Sequence, residues 1–187
     1  MRAFLFSFFS LIFFHSFAAA LPDTPIVDVY KHEIVLEESP FPLRLFLFFA
    51  KEHRKTFEQT KQALFDKIYN DPAVEIHLAL QKKKFNTLIR RKLLKELQND
   101  FKQENDLRQV QLTKQQPSKT LLPGYFLLVD FDGALSKKFN LAPYNEKPIA
   151  VFLGSNGKIL AQFDSDQIVE CLTWLDSQEK ADIEGKK

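Results

Sequence analysis

Residues 43–49, LRLFLFF, form an apolar run broken only by Arg44, and residues 125–131, YFLLVDF, form a second. A strand with one wet face alternates apolar and polar side chains, whereas an unbroken apolar run needs cover on both faces. Two such runs therefore demand a central sheet with other elements packed above and below it. The segments between and after them decide what those elements are.

After residue 56 the period changes. Phe57, Leu64, Phe65 and Ile68 recur at helical spacing, with Glu58, Gln59, Lys61, Gln62 and Lys67 on the other face. Asn70-Asp71-Pro72 stops that helix. Val74, Ile76, Leu78 and Leu80 then alternate with Ala73, Glu75, His77 and Ala79, which reads as a strand with His77 on its less apolar, partly exposed face. Residues 82–107 give a long helical pattern with Phe85, Leu88, Ile89, Leu93, Leu97 and Phe101 as the stripe that should meet the sheet. The Gln- and Lys-rich sequence to Thr120 reads as helix end and loop. A helical turn carrying Leu135 and Phe139 is expected over 134–141.

Residues 149–153 and 158–163 flank Gly154-Ser155-Asn156-Gly157, a hairpin signal whose Asn-Gly pair suits a type I′ turn. Asp164, with Gln167 three residues on, is placed to cap a last helix that runs to about Ser177. Residues 178–187 are polar and are expected to be a disordered tail. The order is β-α-β followed by β-β-α around one mixed sheet, in a single domain over residues 43–177.

The first 20 residues stand apart. Arg2, a short apolar run over 5–17 and Ala18-Ala19-Ala20 have the layout of a secretory signal peptide. The run is shorter than the ~20 residues that a membrane span requires, which favours cleavage over an uncleaved anchor. Residues 21–42 form an extension punctuated by Pro22, Pro25, Pro40 and Pro42, with edge-strand composition over 32–38. Without Arg2, the 26 Lys+Arg become 25 against 24 Asp+Glu, so overall charge argues neither for a nucleic-acid partner nor for acidic substrates. The chain is expected to be exported, and periplasmic in a Gram-negative cell.

Two segments now carry a family resemblance. Val129-Asp130-Phe131-Asp132-Gly133, with Phe139-Asn140-Leu141 after it, resembles the V-D-x-x-G run of thioredoxin-like periplasmic proteins. Lys147-Pro148 with Asn156-Gly157-Lys158 resembles their proline-led strand and hairpin. The resemblance covers about residues 43–176 and implies a thioredoxin-like three-layer α/β sandwich. It also implies a cis proline facing the loop after the first central strand. Within that superfamily the chain is similar to the small periplasmic YtfJ-type family, and next to the thiol-reductase and peroxiredoxin-like branch with its cysteines lost.

The loop that carries a Cys-x-x-Cys pair in that superfamily is here Ala50-Lys51-Glu52-His53-Arg54-Lys55. The one cysteine, Cys171, lies on an apolar helical face with Ile168, Leu172 and Leu175 and reads as a small buried hydrophobe. One thiol supports no two-cysteine cycle, so no thiol–disulfide oxidoreductase activity is expected. No metal-ligand spacing links His32, His53 and His77, and no nucleotide or hydrolase motif is present, so no cofactor or catalytic residue is assigned.

What remains is binding. Lys51, Glu52, His53, Arg54 and Pro148 are candidates for contacting a protein or peptide. Lys82, Lys83, Lys84, Arg90, Arg91, Lys92 and Lys95, all ahead of Glu96, are candidates for contacting an anionic membrane surface or an acidic partner. The plainer reading of each cluster is a solvated charged face.

Overall fold

The computed structural model describes residues 26–82, 87–115, 117, 123–131 and 133–184. Residues 1–20, Lys83, Lys84, Phe85 and Asp132 lie outside them. Seven strands follow in chain order: β1 (Ile26–Val27), β2 (Glu33–Ile34), β3 (Leu43–Ala50), β4 (Val74–Gln81), β5 (Tyr125–Asp130), β6 (Ile149–Gly154) and β7 (Ile159–Asp164). The helices are α1 (Arg54–Ile68), α2 (Thr87–Gln115), α3 (Ala134–Lys138) and α4 (Ile168–Glu184). No helix among the described residues is long and apolar enough to cross a membrane.

The main sheet has the order β5-β4-β3-β6-β7. Strands β3, β4 and β5 run parallel, while β6 pairs antiparallel with β3 and with β7. The expected β-α-β and β-β-α units therefore share one mixed sheet with β3 at its centre, which is the thioredoxin-like arrangement. Both crossovers step the same way along the sheet, so a common right-handed turn puts α1 and α2 on one face. There Phe57, Leu64 and Ile68 of α1, Phe101 of α2 and Cys171 and Leu175 of α4 bury Leu45, Leu47, Ile76, Leu78 and Phe152. The other face is thinner. Leu135 of α3, Phe139, and Ile34 and Leu36 of the N-terminal extension cover Phe46, Phe48, Leu128 and Val151.

Several sequence expectations need correction. The extension adds no strand over 32–38 to the main sheet. It forms the short β1–β2 pair and one antiparallel bridge from Asp28 to Leu128. The reason is Arg44: its guanidinium is 1% exposed and donates to the carbonyls of Val35 at 2.7 Å, Leu36 at 2.5 Å and Gly154 at 3.3 Å. Carbonyls held this way are diverted from a strand ladder.

The 154–157 turn is not type I′. Gly157 takes φ 75° but Asn156 does not take positive φ. Gly154 N–H instead donates to Lys158 O across a longer loop, and the strand pair is irregular beside Leu153. A side chain at Gly157 would lie 2.3 Å from the Leu36 carbonyl, so the hairpin also seats the extension. Helix α4 continues to Glu184 rather than ending at Ser177, because Gln178 to Ala181 are good helix formers and Gly185 is the next breaker. Asp164 and Gln167 do form the capping box, here on a short 3-10 turn that leads into α4.

His77 is fully buried rather than half-exposed. Its ring stacks 4.1 Å from Phe46 and 4.9 Å from Phe126, and Nε2 lies 2.7 Å from Glu75 Oε1. The extension and α3 cover this face, which the alternation of β4 alone does not reveal. Helix α2 is rotated from the expected stripe. Leu88 is 76% and Ile89 49% exposed, while Leu94, Leu97, Phe101, Arg108 and Leu112 face inward.

Arg108 is fully buried and donates to Tyr69 O at 2.7 Å, Val74 O at 2.8 Å, Gly124 O at 2.9 Å and Pro123 O at 3.0 Å. It joins the end of α1, the start of β4 and the approach to β5. Burial pulls its guanidinium down to about 10. Arg108→Leu should lower stability to urea by about 3 kcal/mol, because it strips a donor from four carbonyls. Arg108→Lys should recover little of that, since one ammonium does not span the set. A loss under about 1 kcal/mol would show that water replaces the donor.

Burial also holds His77 below its ordinary value of 6.5, against the opposing pull of Glu75. The unfolded chain then binds a proton that folded His77 refuses. Stability should be unaffected by this group above pH 6.5 and should fall below it, by up to about 1.4 kcal/mol per pH unit. His77→Phe should remove that component from the pH dependence of the urea midpoint.

Candidate functional site

Because β3, β4 and β5 are parallel, Ala50, Gln81 and Asp130 end on one edge of the sheet. Strand β6 begins there. Ile149 pairs with Phe48, so Pro148 falls beside Phe49 at the exit of β3. The topology thus brings the two parts of the first candidate set together.

Beyond Ala50, Lys51–His53 forms a 3-10 turn that leads into α1 at Arg54. Lys51, Glu52, Arg54 and Lys55 are exposed and His53 is half-buried. The first turn of α1 holds no acid and no side chain caps it. Cations at the positive end of a helix work against its dipole, and Lys51, Arg54 and Lys55 have no ion-pair partner among the described residues. The loop is therefore a net positive entrance that nothing in its own helix compensates.

Lys82 belongs with this loop rather than with the rest of the basic run. It follows Gln81, the partner of Ala50. Partial burial lowers its ammonium pKa, the nearby Glu52 carboxylate raises it, and Lys51 lowers it further. Arg90 also reaches the same edge, with its guanidinium 4.2 Å from the ring centre of Phe131. Arg91, Lys92 and Lys95 stay exposed on α2, and Lys92 sits 4.0 Å from Glu96.

Pro148 is buried, and its carbonyl accepts from Ser165 N–H at 3.0 Å. No cis peptide bond occurs among the described residues, so the Lys147–Pro148 bond is trans, not cis as the resemblance implies. Pro148 shapes the floor of the edge. The exposed neighbour is Lys147, which pairs with Asp166.

A polar network that sequence reasoning missed supports the edge from beneath. The Asp130 carboxylate accepts from Ser136 N–H at 2.9 Å, Ser136 O–H at 2.6 Å and Leu135 N–H at 3.3 Å, and so caps α3. Gln81 donates to Ser136 Oγ at 2.8 Å and Ala142 O at 3.1 Å, and its Oε1 accepts from Asn145 N–H at 3.1 Å. Gly133 lets the chain turn between Asp130 and α3. It takes φ 68°, and a side chain there would lie 2.5 Å from Pro143. The Val129-Asp130…Gly133 run was the visible signal; its role is to clamp the loop that ends at Pro148.

Cys171 is fully buried in the core, and burial pushes its thiol up to about 12. A thiolate is the reactive species in exchange chemistry, so this cysteine is inert at neutral pH.

No family model matches the chain, and no curated protein matches it. Solved structures similar to it include an uncharacterized thioredoxin-like protein from Porphyromonas gingivalis. The identity is 13% and the TM-score 0.48, with 84% of this chain and 90% of that chain covered. Another is peroxiredoxin Q of Xanthomonas campestris, at 12% identity and TM-score 0.47, covering 87% and 94%. A third is the exposed lipoprotein thioredoxin Etrx1 of Streptococcus pneumoniae, at 12% and 0.46, covering 80% and 97%. The fold itself rests on the strand order and directions given above.

Native protein should leave Cys171 unlabelled by a thiol-specific reagent at neutral pH and become labelled on unfolding in urea. Rapid labelling of the folded chain, or turnover in an insulin-reduction assay, would contradict the buried thiol.

Proposed function

We propose that this chain is a thioredoxin-like binding domain without thiol chemistry, which holds an acidic protein or peptide segment at the edge formed by residues 50–55, Lys82 and Tyr144 to Lys147. One observation carries the reading. Lys51, Arg54 and Lys55 gather, without acidic partners among the described residues, at the exit of the central strand. Such a loop stabilises neither its helix nor the core, and an acidic ligand would relieve its mutual repulsion. Tyr144, 40% exposed, adds an aromatic surface beside it, its hydroxyl donating to Lys82 O at 3.2 Å.

The sequence features that motivate kinship with the YtfJ-type family and export through residues 1–20 belong to the same proposal. A non-catalytic exported domain accounts for one buried cysteine and a charged loop at the position of a redox pair.

The test is fluorescence anisotropy with a labelled glutamate- and aspartate-rich peptide and a lysine-rich counterpart. The acidic peptide should bind at low salt and the basic one should not. Lys51→Glu with Arg54→Glu should weaken binding by about tenfold or more. Unchanged affinity in that variant, with its circular dichroism intact, would overturn the reading.

A further inference from the structure

Helix α2 carries a second surface that peptide binding at the β3 exit does not use. Its inward side is complete, with Leu94, Leu97 and Phe101 packed on the sheet face and Arg90 laid against Phe131. Leu88, Arg91, Lys92 and Lys95 occupy the opposite arc of the first turns, at i, i+3, i+4 and i+7. Leu88 is 76% exposed, and Ile89 beside that arc is 49% exposed. Arg91 and Lys95 have no ion-pair partner among the described residues, and no acid precedes Glu96 in the helix.

Leu88 stands in water on the same arc as Arg91 and Lys95, two cations without an ion-pair partner among the described residues. We propose that this arc docks the domain on an anionic phospholipid surface, with Leu88 and Ile89 entering the headgroup boundary and Arg91, Lys92 and Lys95 lying over lipid phosphates. The arc is a convex helix face. An acidic peptide would gain more from a groove that orients it, whereas a bilayer accepts a convex apolar tip ringed by cations.

The experiment is vesicle co-sedimentation of the full chain, with phosphatidylcholine alone and with added phosphatidylglycerol. The readout is the ratio of partitioning into anionic over neutral vesicles, which cancels any charge-independent contribution of the N-terminal apolar run. That ratio should exceed one at low salt and collapse at high salt. Arg91→Gln with Lys95→Gln should lower it by roughly 25-fold, at about fivefold per cation. Leu88→Ser should lower partitioning into anionic vesicles about fivefold with the charge unchanged. These variants should still bind the acidic peptide, and Lys51→Glu with Arg54→Glu should leave most of the vesicle ratio intact. The two proposals therefore fail separately. A ratio of one at low salt, or wild-type partitioning in the double variant, would overturn the membrane reading. So would binding of soluble polyglutamate through Arg91 and Lys95 without vesicle binding, which would assign the arc to an acidic protein.

Discussion

A buried guanidinium needs several acceptors at once, and Arg108 finds four backbone carbonyls where α1 ends, β4 begins and the chain approaches β5. Among the described residues no carboxylate forms an ion pair with it, and the more distant Glu75 and Asp71 only oppose the effect of burial, so well-aimed carbonyl dipoles hold the charge. Arg44, the second residue of β3, repeats the device, holding the carbonyls of Val35, Leu36 and Gly154. Together they clasp the edge where the parallel strands begin. The opposite edge, where the strands end, is held by the network of Asp130, Ser136 and Gln81.

The edge where the strands end keeps its internal polar groups busy. Asp130 caps α3 and Gln81 holds the 142–145 loop. Above them Lys51, Arg54 and Lys55 have no ion-pair partner among the described residues, at the start of a helix whose first turn holds no acid. At the clasped edge an open groove is lined by Glu37, Glu38, Ser39 and Pro40, with Ser155 and Asn156 of the hairpin.

Sequence and structure agree where a residue pattern has one physical cause. The runs at 43–49 and 125–131, interrupted only by Arg44 and Asp130, are apolar because both faces are covered, and they became the central β3 and the β5 next to β4. The reading failed where two causes give the same pattern. His77 sits among apolar residues in β4 whether its face is wet or covered, and only the extension folding back over Phe46 decides it. Leu88 and Ile89 extend a plausible stripe, yet α2 turns so that Leu94, Leu97 and Phe101 meet the sheet. Arg44 and Arg108 were illegible because a cation in an apolar run, or in a Gln- and Lys-rich one, gives no sign of the carbonyls waiting for it. For the site, the location of residues 51–55 was readable from the strand-to-helix switch. The burial of Pro148 and the joining of Lys82 to the loop came from pairings between distant segments.

The central claim is that binding belongs to the edge where β3, β4 and β5 end. Backbone amide chemical-shift mapping of isotope-labelled protein, titrated with an aspartate-rich peptide, tests it most directly. The account predicts shifts clustered on residues 51–55, Lys82 and 144–147, with little change around Arg44 and Arg108. Shifts confined to the Glu37–Pro40 groove, or spread evenly over the surface, would contradict it.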